Sequence, residues 1–338
     1  MTLILSHDDV RRLLTMPACI DVMAAALRAT SDGHAVLPLR SMVRTPDTSS
    51  PGNPGNPGIL GLMPGYLGDP AALGLKVVSI FPRNHDLHRE THLGVVLLFE
   101  LDHGEPIAIL DASSITAIRT AAVSGAATRA LARDDAGDLA ILGAGVQAAT
   151  HLAAMRAVRP LRRVRVWSRS AARAHKLAET AALGELSVEV MASPRDAVDG
   201  ADLICTVTAS PTPILEGAWV APGAHINAAG ACFARTRELD THAVAKARLI
   251  VDRRESALAE AGDFLIPRAE GAFGDDHIAG ELGEVLLGRV TGRRSATEIT
   301  LFKSLGLAVE DLAAAHYVYR RARETGAGIS VALGAEPR

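Results

Sequence analysis

The sequence that decides the fold reads Leu139-Ala140-Ile141-Leu142-Gly143-Ala144-Gly145-Val146-Gln147-Ala148. An apolar run ends at glycine and a helical pattern follows, which is typical of the strand, loop and helix that begin a dinucleotide-binding unit. Gly143 would permit the tight turn, Gly145 would leave room for a pyrophosphate on the helix N-terminus, and Ala148 would let helix and strand pack closely. A glycine-rich turn that binds nothing has the same pattern, so the flanking sequence must decide.

After Asp138 the sequence alternates short apolar runs with helical patterns. We predict strands at 138–142, 163–167, 186–191, 202–207, 224–229 and 247–251, with helices at 146–158, 171–182 and 194–199. Further helices are predicted at 255–261 and 278–289, and residues 301–304 are expected to return to the sheet. This alternation predicts a Rossmann-type, doubly wound parallel sheet.

The N-terminal sequence has a different pattern, with helices predicted at 7–14, 18–31 and 113–133. Strands predicted at 59–63, 73–80, 95–101 and 106–110 are separated by short turns, which favours an antiparallel or mixed sheet. The Pro, Gly and Asn run at 49–58 is predicted to be a surface hairpin insertion. A helix at 307–323 is expected to pack back on this part. The predicted fold class is therefore α/β, with a Rossmann domain at 119–305 and a discontinuous α+β domain at 1–118 completed by 306–338.

Composition excludes several classes of protein. The 338 residues carry a formal net charge of −3, which shows no bias toward nucleic acid or an anionic membrane. The sequence has no apolar run of about 18 residues, so no transmembrane helix is expected. Its first residues lack the basic start and long apolar core that predict a secretion signal. Cys19, Cys205 and Cys232 are widely spaced, which favours a reducing cytoplasm over a disulfide framework, and the histidine spacing predicts no metal site.

The residues after the second predicted Rossmann strand indicate which nucleotide binds. They read Ser168-Arg169-Ser170. An NAD-selective site usually has an acidic residue here to bind the ribose 2′-OH, whereas arginine and hydroxyl groups suit a 2′-phosphate. The motif therefore favours NADP(H) over NAD(H). The alternative for Arg169 is a solvated arginine at a strand end.

Four charged residues could bind or react with a ligand. Lys76 lies in an apolar predicted strand, where it is either a buried functional lysine or an edge-strand lysine that blocks aggregation. Arg119 could face a cofactor phosphate or a substrate carboxylate, or it could lie on a helix surface. The sequence around Arg40 points to no particular role, so Arg40 is the least specific of these candidates. Glu260 is either an acid close to the ligand or part of a solvated helix face.

Taken together, the sequence resembles the ornithine cyclodeaminase/mu-crystallin family over nearly its whole length. The segments that carry the resemblance are 65–81, 95–100, 115–124, 141–148, 222–228 and 302–306. The resemblance implies a homodimer of two-domain chains, in which the first domain binds substrate and supplies the dimer contact and the second is a Rossmann domain.

Within that family the sequence is more similar to the mu-crystallin ketimine reductases than to the cyclodeaminases. Ser168-Arg169-Ser170 matches the reductases' 2′-phosphate site. Cys232 stands where cyclodeaminases have a catalytic aspartate, which disfavours deamination of ornithine. Cys232 is either a small neutral spacer or a nucleophile, and the sequence identifies no histidine or base as its partner.

The resemblance assigns roles position by position. It makes Lys76 catalytic and places the substrate at Arg40, Lys76, Arg119, Cys232 and Glu260. Its cofactor-facing positions are Thr91, His92, Arg119, Thr120, Gly143, Ala144, Gly145, Val146, Gln147, Ser168, Arg169, Ser170, Thr206, Val207, Thr208 and Ser304.

The implied activity is NAD(P)H-dependent reduction of a small cyclic ketimine, pyrroline-2-carboxylate or piperideine-2-carboxylate, by hydride transfer to C2. The products would be L-proline or L-pipecolate. The alternatives are an ornithine cyclodeaminase, an amino-acid dehydrogenase, or an NADPH-dependent protein that only binds a small ligand.

Overall fold

The computed structural model describes residues 1–47, 55–87, 91–181, 184 and 186–333. The chain divides into two compact units. The first combines residues 1–119 with the described residues from 307 onward, and the second holds residues 120–306.

Strands and helices are numbered along the chain. The first unit contains β1 (Thr2–Leu5), β2 (Ala35–Val36), β3 (Ser41–Arg44), β4 (Ile59–Gly68), β5 (Ala71–Ile80), β6 (His92–Phe99), β7 (Pro106–Asp111) and β16 (Ile329–Val331). Its helices are α1 (His7–Leu13), α2 (Met16–Ser31), the start of α3 (Ala112–Leu131), and α11 (Ala308–Thr325).

The first unit is a mixed sheet covered by helices on one face. The strand order in the described residues is β16-β1-β7-β6-β5-β4-β2, with β3 also paired to β4, and β1–β7 is the one parallel pair among these described strands. Helices α2 and α11 pack on each other and on β4. Gly65 permits this packing, since a Cβ there would lie 3.1 Å from the Ala308 Cβ. Helix α11 therefore packs back on the N-terminal part, as predicted.

The other face of this sheet is apolar and has no covering helix in the described part of the first unit. Register places Leu60 of β4, Leu73 of β5 and Leu93 of β6 on this face, and these side chains are 37–47% exposed. Pro64 lies on β4 between the segments that pair with β3 and β2, so its missing N–H costs no ladder hydrogen bond there.

The second unit is built around a parallel sheet. Its strands are β8 (Asp138–Leu142), β9 (Arg163–Trp167), β10 (Val188–Val190), β11 (Leu203–Thr206), β12 (His225–Ala228), β13 (Arg248–Val251), β14 (Ile278–Glu281) and β15 (Thr300–Lys303). Its helices, besides the rest of α3, are α4 (Val146–Val158), α5 (Ala171–Thr180), α6 (Pro194–Val198), α7 (Thr241–Lys246), α8 (Arg254–Glu260), α9 (Gly262–Ala269) and α10 (Leu282–Leu286).

The strand order of the second sheet is β10-β9-β8-β11-β12-β15-β13-β14, and every described pair is parallel. The six predicted Rossmann strands are present, β8 and β9 with the predicted bounds, and residues 300–303 return to the sheet. The predicted fold class is confirmed. In such a sheet ligands bind at the carboxyl ends of the strands.

Some predicted elements were wrong. The helix predicted at 278–289 begins instead as the edge strand β14, because pairing with β13 outweighs the helical pattern, and only residues 282–286 are helical. Helix α9 was not predicted, since Pro267 lies inside it. Strands β3 and β4 flank the predicted hairpin insertion and pair antiparallel, but residues 49–54 of that insertion lie outside the described part.

No single helix in the described residues is long and apolar enough to cross a membrane. Helices α1 and α2 together meet that criterion by length and composition only, and they are bent by 85° relative to each other.

Candidate functional site

Lys76 lies on the helix-covered face of the first sheet. Its strand, β5, pairs with β4 on one side and β6 on the other, so Lys76 is not on an edge. The side chain is almost fully buried, and its Nζ lies 2.7 Å from Asp311 Oδ2 and 3.5 Å from Thr116 Oγ1. The edge-strand interpretation of Lys76 is therefore wrong, and the lysine has the buried acidic partner that offsets its desolvation.

Arg119 on α3 joins the same cluster. Its Nε donates to Asp311 Oδ1 at 2.9 Å, and its Nη1 donates to Glu310 Oε2 at 2.7 Å. Arg119, Glu310 and Asp311 are all buried, so Arg119 is not a helix-surface residue. Two ion pairs from the first turns of α11 hold the planar guanidinium in one orientation.

The cluster changes the proton affinity of its members. Burial lowers the pKa of Lys76 to about 8, with Asp311 raising it and the Arg119 and Arg40 charges lowering it further. Burial raises the pKa of Asp311, but Arg119 and Lys76 outweigh that effect and hold it below its ordinary value. A lysine with a pKa near neutrality can donate a proton and be reprotonated at physiological pH.

Arg40 is half-buried in the segment between β2 and β3, and its charge acts on Lys76. The structure therefore joins Lys76 and Arg119 through Asp311, and the Arg40 charge acts on the same lysine. Three cationic side chains against the two carboxylates of Glu310 and Asp311 leave an excess of positive charge, which suits a carboxylate ligand.

Three further predicted positions lie at the start of β6 and on α3. Thr91 Oγ1 is 2.9 Å from His92 Nδ1, and the His92 side chain is exposed. Thr120 follows Arg119 on α3 and is half-buried. Their hydroxyl and imidazole groups are available for hydrogen bonds to a ligand.

In the second unit, the glycine loop has the geometry that phosphate binding requires. Gly143 has φ +131°, and a Cβ there would lie 2.8 Å from the Val207 carbonyl oxygen, so a side chain does not fit. Gly145 is the N-cap of α4 and faces open space, which leaves its backbone approachable. Gln147 Oε1 is buried with no hydrogen-bond partner among the described residues, as expected of an atom that meets a ligand. Ala144 and Val146 complete the loop.

The residues after β9 also suit a nucleotide. Ser170 is the N-cap of α5 and accepts a hydrogen bond from the Arg173 N–H, while Ser168 Oγ accepts one from the Ser170 N–H. Arg169 is exposed and forms no ion pair with any acidic residue in the described ranges. The loop thus offers a guanidinium and hydroxyl groups with no carboxylate between positions 167 and 170.

Thr206 ends β11, and Val207 and Thr208 follow it. A residue that the sequence did not indicate holds this segment. Glu238 is fully buried and accepts hydrogen bonds from the Thr206 hydroxyl at 2.9 Å and from the Thr208 N–H and hydroxyl, both at 2.6 Å. Its position two residues before the N-cap aspartate of α7 gave no signal of this role.

Cys232 is half-buried and its Sγ donates to the Ala229 carbonyl at 3.6 Å. Lys303 lies close enough for its charge to interact with Cys232, and its Nζ donates to the Ala231 carbonyl at 2.5 Å and pairs with Asp263 at 2.9 Å. Burial acts to lower the pKa of Lys303, but Asp263 and the other acidic neighbours outweigh burial and raise that pKa, so this lysine is not the base that the sequence left unidentified. The thiol therefore lies close to a buried ammonium group.

The last two predicted positions are Ser304 and Glu260. Ser304 follows β15, and its buried hydroxyl has no hydrogen-bond partner among the described residues. Glu260 ends α8 with one carboxylate oxygen buried, so it does not lie on a fully solvated helix face. No group of three or more His, Cys, Asp or Glu residues in the described ranges could hold a metal ion.

Each unit thus contains one candidate set of ligand-binding side chains. In the first unit it is the buried cluster around Lys76, and in the second it is the glycine loop with the residues at the carboxyl ends of the strands. The sequence model of the ornithine cyclodeaminase/mu-crystallin family matches residues 1–326. This chain belongs to the ornithine cyclodeaminase/mu-crystallin family. The resemblance that the sequence indicated is therefore confirmed.

Relatives within the ornithine cyclodeaminase/mu-crystallin family cover nearly the whole chain. The chain is 38% identical over 329 residues to a Delta(1)-pyrroline-2-carboxylate reductase of Bacillus cereus, covering 96% of this chain and 98% of the relative. It is 41% identical over 319 residues to the ketimine reductase mu-crystallin of Mus musculus, covering 93% and 96%. The structure of Thermococcus litoralis Delta(1)-pyrroline-2-carboxylate reductase in complex with NADH and L-proline matches with a TM-score of 0.92 at 37% identity, covering 98% of this chain and all of that one.

Proposed function

We propose that this protein is a nicotinamide-dependent oxidoreductase that reduces the C=N bond of a small cyclic ketimine carrying a carboxylate at C2. Its substrates are pyrroline-2-carboxylate and piperideine-2-carboxylate, and its products are L-proline and L-pipecolate. The observation that carries the proposal is Lys76, a buried lysine whose pKa is lowered to about 8 and which is paired with Asp311 beside Arg119. Relatives that cover the chain are named for this reaction.

The first unit binds and protonates the substrate. Arg40 and Arg119 bind its carboxylate, because two guanidinium groups bring both charge and directed N–H donors to one site. Lys76 donates the proton from its Nζ to the ring nitrogen, so that the C=N bond becomes CH–NH without leaving a negative charge on nitrogen. Asp311 positions Lys76 and stabilises its ammonium form.

The second unit binds the dinucleotide, which when bound supplies the hydride for C2. The pyrophosphate binds at the Gly145 end of α4, where backbone N–H groups and the helix dipole favour an anion. Thr91, His92, Thr120, Thr208 and Ser304 supply further hydrogen bonds. Thr206 is fully buried and bonded to Glu238, so it and Val207 shape the end of β11 and do not donate a side-chain hydrogen bond to the nucleotide. We assign NADP(H) as the preferred nucleotide, because Arg169 and the two serines suit a 2′-phosphate.

A cyclodeaminase activity is less compatible with this sequence. The resemblance places a catalytic aspartate at position 232 in the cyclodeaminases, and a thiol stands there instead. Cys232 therefore lacks the carboxylate that would act as the base for deamination. Release of ammonia from ornithine is the reaction that would separate the two activities.

We also propose a homodimer in which the open face of the first sheet packs on the same face of a second copy. A contiguous apolar face of this kind is an association surface in most proteins, and a two-fold axis buries it on both copies.

The reaction takes place in the cytoplasm, where the free thiols of Cys19, Cys205 and Cys232 stay reduced.

The decisive experiment uses the purified protein with each imine and with NADPH or NADH. We expect loss of reduced-nicotinamide absorbance with at least one imine, faster with NADPH, and formation of L-proline or L-pipecolate. No turnover of either imine with either nucleotide would overturn the proposal. Ammonia released from ornithine with NAD⁺, together with inactivity on both imines, would identify a cyclodeaminase instead.

A further inference from the structure

The buried carboxylate of Glu238 joins the ends of two neighbouring strands. At the end of β11 it accepts a hydrogen bond from the Thr206 hydroxyl, and just after the strand it accepts both donors of Thr208. After β12 it accepts the Gly230 N–H at 2.9 Å. Since β11 and β12 are adjacent in the sheet, one carboxylate satisfies four donors across the edge at which dinucleotides bind.

A second carboxylate holds Glu238 itself. Asp263 Oδ1 accepts the backbone N–H groups of Glu238 at 2.8 Å and Leu239 at 3.0 Å, and its Oδ2 pairs with Lys303 at 2.9 Å. Lys303 ends β15, the strand next to β12. The chain of contacts from Thr206 to Lys303 therefore spans the carboxyl ends of three consecutive strands.

The packing around Glu238 is tight. A Cβ on Gly230 would lie 2.5 Å from both Glu238 carboxylate oxygens and 2.2 Å from the Thr208 carbonyl oxygen. Position 230 therefore has to be glycine for the carboxylate to reach both loops. Burial raises the pKa of Glu238, as does the neighbouring Asp263 carboxylate, while Thr208 and Lys303 act in the opposite direction. Burying a carboxylate such as that of Glu238 lowers the free energy of unfolding. We therefore expect Glu238 to have a role beyond packing.

We propose that Glu238 is a positioning residue for the dinucleotide: it fixes the Thr206–Thr208 and Ala228–Cys232 loops in the conformation that binds the nicotinamide half. Glu238 acts through these loops and does not itself take part in hydride or proton transfer. This inference rests on the proposed function, because it assumes that the second unit binds a nicotinamide nucleotide.

The substitution Glu238→Gln tests this role. An amide keeps the size of the side chain, but its NH₂ group cannot accept a hydrogen bond, so at least one of the four donors loses its partner. We expect the KM and Kd for NADPH to rise about tenfold, with kcat changed by less than about twofold. Asp240→Asn is the matched control, because Asp240 also accepts two backbone N–H groups, from Gly217 and Ala243, but at the start of α7.

The measurements are steady-state kinetics in both substrates, nucleotide binding by fluorescence titration, and the thermal unfolding midpoint of each variant. Higher KM and Kd in Glu238→Gln, with Asp240→Asn unchanged, support the proposal. Wild-type affinity in folded Glu238→Gln, or a fall in kcat at unchanged KM, overturns this inference alone. Failure of the wild type to bind either nucleotide overturns the proposed function, and the inference with it.

A second variant covers the case in which Glu238→Gln does not fold. Thr206 is fully buried and donates its hydroxyl to Glu238, so Thr206→Val weakens the same arrangement by one hydrogen bond. We expect a rise in Kd of about threefold, and no further rise when Thr206→Val is added to folded Glu238→Gln. Unchanged nucleotide affinity in Thr206→Val overturns the inference.

Discussion

Lys76 and Asp311 form a buried ion pair, with Nζ and Oδ2 2.7 Å apart, that ties the middle of strand β5 to the beginning of helix α11. The two residues come from distant parts of the chain. The first unit is discontinuous in sequence, and this pair gives its C-terminal helix a specific role. Helix α11 supplies the counter-ion for the lysine that we propose as the proton donor.

The first prediction concerns Lys76 itself. Lys76→Met keeps an unbranched apolar stem but has no proton to donate, so we expect kcat for imine reduction to fall by about a hundredfold or more. The Kd for NADPH should stay within about twofold of the wild type, because the nucleotide binds to the second unit. Lys246→Met is the control, since the Lys246 Nζ donates only to the Gly217 and Val220 carbonyls among the described residues. Full activity in Lys76→Met would show that the proton comes from another group.

The second prediction concerns pH. The reduction needs protonated Lys76, whose pKa is about 8, so the rate should fall as pH rises through about 8. The negative charge of Asp311 raises the Lys76 pKa, so Asp311→Asn lowers it, and the alkaline limb of the pH–rate profile should move to lower pH. Glu310→Gln is the matched control, because Glu310 pairs with Arg119 and not with Lys76. The alkaline limb of the Glu310→Gln profile should therefore stay closer to that of the wild type. A limb that moves to higher pH in Asp311→Asn contradicts the assignment of this limb to Lys76.

These two predictions depend on partners that the sequence did not reveal. Lys76 and Arg119 were recognised as candidates, but Glu310 and Asp311 were not, because an acidic pair in the first turns of a helix is common as a response to the helix dipole. Burial of this pair follows from how α11 packs on β4 and β5, and such packing has no local signature. The signal present in the sequence was the apolar context of residues 307–315, in which two carboxylates require cationic partners.

The second unit was more predictable because its determinants are local. Gly143 and Gly145 lie within one turn, and β8 and β9 are short strands whose central residues are all buried, so their bounds follow from the sequence alone. Strand β14 was missed because pairing with β13 decides its structure. Glu238 was missed because its four donors come from two separate loops, of which the one at Thr206–Thr208 is 30 or more residues away in the sequence.

The third prediction separates the two nucleotides. Arg169 follows the end of β9 and should bind the 2′-phosphate, so Arg169→Ala should raise the KM for NADPH about tenfold or more and leave the KM for NADH nearly unchanged. Arg163→Ala removes an arginine from the other end of the same strand, where it pairs with Glu189, and should alter neither constant. Equal effects of Arg169→Ala on both nucleotides would place Arg169 away from the 2′-position.

The fourth prediction tests the open face of the first sheet. Leu73 lies on that face beside Tyr66 and Phe99 of the neighbouring strands and is 37% exposed. Leu73→Glu places a charge in the proposed interface, and desolvating two such charges across a two-fold axis disfavours association. We expect the mass measured by light scattering to fall from that of a dimer to that of a monomer at micromolar concentration. Leu101→Glu is the matched control, because Leu101 is 49% exposed in the loop after β6 and a charge there should leave the mass unchanged. A wild-type protein that is monomeric at this concentration would mean that the apolar face has a different occupant.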